Sequence, residues 1–253
     1  MEKNLNRIIE SLPAKEWDVD RISREVYQRL SKKINAAGDE EPEPIRKNGY
    51  SELIVPIGIS IRHVHLCQEH VEILFGKGHN LVAYNELYQK GYFAANEQVV
   101  VAGPKRCLEK VRVLGPTRPY SQVELSQTDA LLVGLKLPIT IEGSDPACKP
   151  VTLIGPEGVV TLPGGGLGGA YVARRHMHLN DRTAEKLGLK QGDLVDLFVD
   201  GIRSATLHDI VVRIKEGWRT EVHLDADEGN AIGIRSGQTG TLIIAHPPKN
   251  RSS

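Results

Sequence analysis

Arg62-His63-Val64-His65-Leu66 and Arg175-His176-Met177-His178-Leu179 are near-copies of one another, 113 residues apart in the chain. Each reads as a β-strand. Side chains alternate across a strand, so the two histidines of each stretch project to one side and the apolar residue between them to the other. Two neutral imidazoles offered from one strand make half of a tetrahedral metal site, with further ligands to come from other strands. A single His-x-His is as readily a packed or capped pair. Its recurrence in one chain favours metal binding.

Working outward, the residues before the first copy continue its alternation. Ile57, Ile59, Ile61, His63 and His65 are expected to share one strand face, and Arg62, Val64 and Leu66 the other. Gln68–Phe75 reads as a short helix. Strand candidates follow at Val99–Ala102, Val111–Leu114, Gln122–Leu125, Val151–Ile154 and Val159–Leu162. The last two are joined by Gly155-Pro156-Glu157-Gly158, a hairpin signal. Thr128–Leu132 reads as a helical turn with Ser126 near its start. The run Pro163-Gly164-Gly165-Gly166-Leu167-Gly168-Gly169 leads into the second histidine strand. Its amides could cradle a phosphate, but it lacks the Lys-Ser/Thr ending of a P-loop, and an inter-strand connection is favoured.

A repeat is also legible. Nine residues after His178 comes Leu187, then Gly188, with Gly192 four further on; nine after His223 comes Ile232, then Gly233, with Gly237 four further on. Both copies end in apolar runs, Leu194–Val199 and Thr239–Ala245, and His65 opens a looser copy with Leu74 nine residues later. Strand, histidine, short helix, glycine turn, strand is the repeated unit. It predicts a mainly β protein with short helices (α+β): two related β-barrels with helical caps.

Residues 1–48 have a different character. Leu5, Ile8, Ile9 and Leu12 form one apolar stripe, Pro13 interrupts it, and Ile22, Val26, Leu30 and Ile34 form a second. Gly38-Asp39-Glu40-Glu41-Pro42-Glu43-Pro44 is an acidic linker. The expected organisation is a helical extension over 1–48 and a catalytic region over 49–253. The extension would pack on its own catalytic region or on another protein.

Composition narrows the partners. The 253-residue chain has 32 basic and 32 acidic residues, which argues against nucleic acid or an anionic membrane as the main partner. No apolar run reaches membrane-spanning length. Three scattered cysteines do not form a disulfide framework.

The candidate ligands are His63, His65, His176, His178 and His223, too many for one tetrahedral zinc, so two metals are expected. Glu124 is the carboxylate candidate, or else an exposed strand glutamate, and Cys67 is either a further ligand or a core residue. Arg118 sits in a stiff turn where its fork could hold phosphate or carboxylate, or simply face water. Arg112 points away from Val111 and Val113. His70, His79, His208 and His246 are expected to be ordinary surface residues.

Three motifs, Pro56–Leu66, Leu114–Pro119 through Gln122-Val123-Glu124, and Arg175–Leu179, with the tail from Glu221-Val222-His223-Leu224-Asp225 to Asn230-Ala231, resemble the PduL-type phosphate propanoyltransferases. The likeness runs from about Val55 to Ile244. It implies zinc-dependent phosphotransacylases with two interleaved β-barrels and two Zn2+ per chain, one held by His63, His65 and Glu124, the other by His176, His178 and His223. Arg118 would hold phosphate, and Ser60, Arg112 and Asn230 would contact coenzyme A. The implied reaction takes acyl-CoA, propanoyl-CoA or acetyl-CoA, and phosphate to acyl phosphate and CoA, by direct attack of zinc-bound phosphate on the thioester. The alternatives are a dinuclear zinc hydrolase and a non-catalytic zinc-stabilised microcompartment component. The resemblance also implies a homo-oligomer in a bacterial microcompartment lumen, directed to shell or core proteins by the N-terminal helix as an encapsulation peptide.

Overall fold

A computed structural model describes residues 43–246. The helices expected around Leu5–Leu12 and Ile22–Ile34 lie outside the described residues. The described residues are mainly β with four short helices, as expected.

The chain opens with β1 (Ile45–Lys47) and the long β2 (Tyr50–Ser60). Ser51, Leu53, Val55 and Ile57 alternate inward along β2, which gives it one fully buried face. Then come β3 (His63–His65), α1 (Gln68–Phe75), β4 (Ala83–Glu86), β5 (Phe93–Ala102), β6 (Cys107–Gly115), β7 (Gln122–Glu124) and α2 (Gln127–Val133). The middle of the chain forms β8 (Ile139–Thr140), β9 (Val151–Ile154), β10 (Val159–Leu162) and β11 (Ala170–Ala173). The last part runs β12 (His176–Leu179), α3 (Asp181–Leu187), β13 (Leu194–Val199), β14 (Ala205–Ile214), β15 (Glu221–Asp225), α4 (Ala226–Ile232) and β16 (Thr239–Ala245).

Six strands, β2-β15-β12-β14-β13-β16, close on themselves through the β16–β2 pairing, so this barrel has no free edge along that path. β1 extends β2. The other sheet, in the order β10-β9-β5-β6-β3-β7-β11-β8 with β4 on β5, stays open and is a half-barrel. Each sheet has its own apolar core, one built around Val64, Leu66, Val113 and Val123, the other around Val55, Ile57, Met177 and Leu179.

The chain changes sheets twice, and each change falls just before a histidine pair. β2 belongs to the barrel and β3 to the half-barrel; β11 belongs to the half-barrel and β12 to the barrel. This corrects the expectation of one continuous strand face from Ile57 to His65. Ile57 is buried in the barrel core, whereas Ile61, at the crossing, is 65% exposed. The histidines lie opposite Val64 and Met177, both 0% exposed and each in a different core. Alternation still governs each pair, but the crossing resets which core it refers to.

Each helix has its N-cap two residues beyond a candidate ligand. The N-caps are Cys67, Ser126, Asn180 and Asp225, following His65, Glu124, His178 and His223. Ser126, Asn180 and Asp225 accept from the backbone N–H three residues on, and Asp225 with Glu228 forms a capping box. Gly134, Gly188 and Gly233 end their helices at φ 84°, 67° and 72°, the left-handed region that a glycine C-cap serves. The caps thus stop each ligand strand at a fixed place.

The Gly-rich run connects β10 to β11. Its amides are used internally: Gly164 N–H donates to the Gly168 carbonyl, Gly165 N–H to Cys148 and Leu167 N–H to Gly164. At Gly168 (φ +88°) a Cβ would lie 2.2 Å from the Ser121 carbonyl oxygen, so the glycine lets this loop pass close to the entry of β7.

Candidate functional site

β3 pairs antiparallel with β7, which sets His63 opposite Glu124 and His65 opposite Gln122. β12 pairs antiparallel with β15, which sets His176 opposite His223 and His178 opposite Glu221. Register alone therefore brings a third ligand against the first histidine of each pair.

In the half-barrel group, His63 and His65 are 6% and 4% exposed. Their Nε2 atoms lie 3.5 Å from Glu124 Oε2 and 3.7 Å from Glu124 Oε1. Each Nδ1 is bound to a carbonyl, Ile61 for His63 (2.8 Å) and Leu114 for His65 (3.1 Å). An Nδ1–H donated to a carbonyl leaves Nε2 with its lone pair turned toward Glu124, the tautomer a metal ligand needs.

In the barrel group, the ring centroids of His176, His178 and His223 lie 4.4 to 5.2 Å apart. His176 Nδ1 is held by the Arg174 carbonyl at 2.8 Å, two residues earlier, as Ile61 holds His63. His178 stacks on Trp218 at 4.0 Å, and its Nδ1 is buried with no hydrogen-bond partner. His178, Glu221 and His223 bring ligand atoms within 4.8 Å of one another.

Burial shapes the electrostatics. It pushes His176 down from 6.5 to about 3, helped by His223, and it pushes His178 down as well. His65 falls well below the ordinary value through burial and then the charges of His63 and Arg118. For His63 burial also acts downward, but the Glu124 carboxylate outweighs it and the net shift is upward. Burial would raise Glu124, yet His63, His65 and the Tyr171 hydroxyl hold it well below the usual carboxylate range. Glu124 acts on His176 and His178 too, so both groups share one electrostatic neighbourhood.

Imidazoles that burial disfavours as cations (His65, His176 and His178), a carboxylate held ionised at Glu124 and an orphaned, buried ring nitrogen at His178 fit divalent cations of borderline softness. An unpaired buried donor or acceptor costs about 1–3 kcal/mol, a cost that a ligand at His178 would relieve.

The other expected residues divide between the site and its surroundings. The Arg118 backbone N–H donates to the Leu66 carbonyl at 2.8 Å, and its charge reaches His63, His65 and Tyr171. Ser60 Oγ is 3.4 Å from His63 Nδ1. Arg112 faces His63 in register, but its guanidinium donates to the Ala95 and Asn96 carbonyls and lies 4.7 Å from the Tyr84 ring centroid, a brace within the half-barrel. Asn230 is exposed on α4. Cys67 caps α1, with its sulfur 3.6 Å from Ser121 Oγ. Of the other histidines only His208 and His246 are exposed. His79 binds the buried Glu97 carboxylate at 2.7 Å and His70 binds Ser121 Oγ at 2.7 Å, so both are anchored inward rather than lying free on the surface.

Sequence reasoning missed Glu221, Gln122 and Tyr171. The signal was present for the first two. Glu221-Val222-His223 and Gln122-Val123-Glu124 have the same i, i+2 spacing as the histidine pairs. Tyr171 comes from another strand, and only the parallel β11–β7 register sets it beside Glu124.

Residues 56–235 match the family model for phosphate propanoyltransferase. The chain is 41% identical over 199 residues to a phosphate propanoyltransferase of Lachnoclostridium phytofermentans, covering 78% of this chain and 91% of that one. It is 38% identical over 221 residues to the one of Thermotoga maritima (87% and 94%), and 40% identical over 226 residues to the one of Planctopirus limnophila (86% of each). All candidate ligands lie inside the matched span, on the two pairs of strands that carry them. The chain is thus an acyltransferase and belongs to the phosphate propanoyltransferase family.

Proposed function

We propose that this chain interconverts an acyl-CoA, propanoyl-CoA or the smaller acetyl-CoA, plus phosphate with acyl phosphate plus CoA. The observation that carries the reading is that two close-set groups, His63, His65 and Glu124 and His178, Glu221 and His223, the latter with the His176 ring 5.0 and 5.2 Å from those of His178 and His223, lie with the charge of Arg118 in one buried neighbourhood, in a member of this family. In the forward direction a phosphate oxygen adds to the thioester carbonyl carbon, the carbon–sulfur bond breaks, and CoA leaves as the thiolate.

The Arg118 guanidinium is the group to hold phosphate. Its charge acts on His63 and His65, and its fork matches two phosphate oxygens. His63, His65 and Glu124 would hold one divalent cation, and His176, His178 and His223 the other. When bound, such cations supply charge that orients phosphate, steadies the oxyanion of the tetrahedral intermediate and eases thiolate departure, and Zn2+ suits this donor set. Burial of His63 and His65 keeps competing water from that side of the site. Ser60, beside His63, Arg112, whose guanidinium is braced on the Ala95 and Asn96 carbonyls, and Asn230 on α4 are assigned to CoA.

Thiol release from propanoyl-CoA, followed with and without phosphate and before and after chelation, tests this reading. It requires phosphate-dependent release, abolished by chelation, with the product trapped as hydroxamate. Free acid in place of acyl phosphate would indicate a hydrolase, and no phosphate-dependent release would indicate a non-catalytic component.

Residues 1–48 are assigned to encapsulation of a homo-oligomer in a microcompartment lumen. The support is the amphipathic spacing of Leu5, Ile8, Ile9 and Leu12 ahead of an acidic linker. Deleting residues 1–44 should leave turnover intact and abolish co-purification with shells; unchanged co-purification would refute the assignment.

A further inference from the structure

The two ligand groups share one construction, which assigns work to two residues outside the ligand sets. In each, the residue two before the third ligand faces the second histidine in register: Gln122 faces His65, and Glu221 faces His178. Both are buried, 1% and 7% exposed. Both bond the third ligand on their own strand. Gln122 Nε2 donates to Glu124 Oε1 at 3.0 Å, and Glu221 Oε2 accepts from His223 Nε2 at 2.8 Å.

The polarity is matched in each case. A carboxylate ligand needs a donor beside it and finds an amide; an imidazole ligand needs an acceptor and finds a carboxylate. The effect on the ligand is the same. With Oε1 of Glu124 held by Gln122 and by the Tyr171 hydroxyl (2.8 Å), Oε2 is left facing His63. With Nε2–H of His223 held by Glu221, Nδ1 keeps its lone pair.

Each partner is itself fixed by its surroundings. The Gly143 N–H donates to Gln122 Oε1 (3.2 Å), which settles which way the amide points. Gln89 donates to Glu221 Oε2 (3.3 Å) while exchanging hydrogen bonds of 2.9 Å each with the N–H and carbonyl of Arg219. A glycine makes room in both places. A Cβ on Gly143 would lie 2.6 Å from Gln122 Cβ, and one on Gly58 would lie 2.7 Å from Glu221 Oε1.

We propose that Gln122 and Glu221 are equivalent positioning residues, each matched in polarity to the third metal ligand of its own half-site. The proposal rests on the metal reading above. Outer partners of this kind typically carry about 10- to 100-fold in metal affinity.

The test is zinc titration of the full chain against a competing chelator, with metal stoichiometry and the thermal midpoint of the metal-free protein measured alongside. Gln122→Met should weaken one of two zinc-binding steps by about 10- to 100-fold and leave the other unchanged; Glu221→Ala should do the same to the other step. Glu221→Gln should recover most of the affinity, because its side-chain oxygen still accepts from His223. Unchanged zinc affinity with a lowered metal-free midpoint would reduce both residues to structural supports and overturn the proposal. Glu221→Gln as damaging as Glu221→Ala, with one zinc lost, would make Glu221 a ligand and overturn it for that half-site. Absence of zinc binding by the wild-type chain would fail the metal reading itself, and the proposal with it.

Discussion

The half-barrel group and the barrel group are one design executed with different residues. Both begin where the chain changes sheets, and both fix the first histidine through the carbonyl two residues earlier, at 2.8 Å. In both, the arginine preceding that histidine pairs with a carboxylate on the helix after the third ligand: Arg62 with Asp129 (3.2 Å) and Arg175 with Glu228 (2.7 Å). The groups differ at the third candidate ligand, a carboxylate in one and an imidazole in the other, and at the position facing it on the next strand. There Tyr171 faces Glu124, and Gly58 faces His223. A shared frame fixes where the ligands stand. The side chains at these positions decide charge and filling.

The basic residue beside each group breaks the likeness most. Arg118 N–H donates to the Leu66 carbonyl, and Lys215 N–H to the Leu179 carbonyl, each the residue just after a histidine pair. The Lys215 ammonium donates to the Tyr92 hydroxyl at 3.3 Å, whereas the Arg118 charge acts on His63 and His65, and Arg118 is the residue proposed above to hold phosphate. Arg118→Ala should therefore give the largest loss short of removing a ligand, about 10²- to 10³-fold in kcat with metal content unchanged. Wild-type turnover in that variant would end the assignment.

Acid should separate the groups next. A histidine whose folded pKa is depressed takes up protons more readily when unfolded, so its stabilising contribution is full above 6.5 and lost as pH falls toward the folded value. His176, pushed to about 3, and His178 and His65, also pushed down, all act this way; His63, pushed up, has the opposite sign. Glu124 adds acid sensitivity below its ordinary 4.5. The metal-free protein should lose stability as pH drops from about 6.5 toward 3, and His176→Gln should flatten the slope more than His63→Gln. Denaturant titrations across that range check both.

Smaller effects should come from the position facing the third ligand. Tyr171→Phe removes the hydroxyl on Glu124 and should cost about 1.5–3 kcal/mol, the range for a hydrogen bond to a charged group. Gly58→Ala, which drives a Cβ to 2.7 Å from Glu221 Oε1, should cost about 1–3 kcal/mol through overpacking. Equilibrium unfolding of the two variants measures the difference.

Much of this architecture was legible in the sequence. Val151–Ile154, Val159–Leu162, Gln68–Phe75, Leu194–Val199 and Thr239–Ala245 form the expected elements at the expected bounds, because alternation, caps and turn residues are local signals. The repeat was read from histidines, and so its copy at Glu124 went unseen. Val133 and Gly134 follow Glu124 by nine and ten residues, as Leu187 and Gly188 follow His178. The sheet crossing at Ile61-Arg62 was not legible, since the apolar alternation of the sequence runs unbroken from Ile57 to His65 although β2 ends at Ser60 and β3 begins at His63. Tyr171 and Gln89 reach their groups through long-range register and loop placement, which no local spacing encodes.

Elemental analysis of purified protein, beside its His63→Ala and His176→Ala variants, tests the two-centre account most directly. The account predicts two equivalents of a divalent transition metal per chain, falling to one in each variant with the fold retained. A wild-type chain free of such metal, or a content that neither substitution alters, would contradict it.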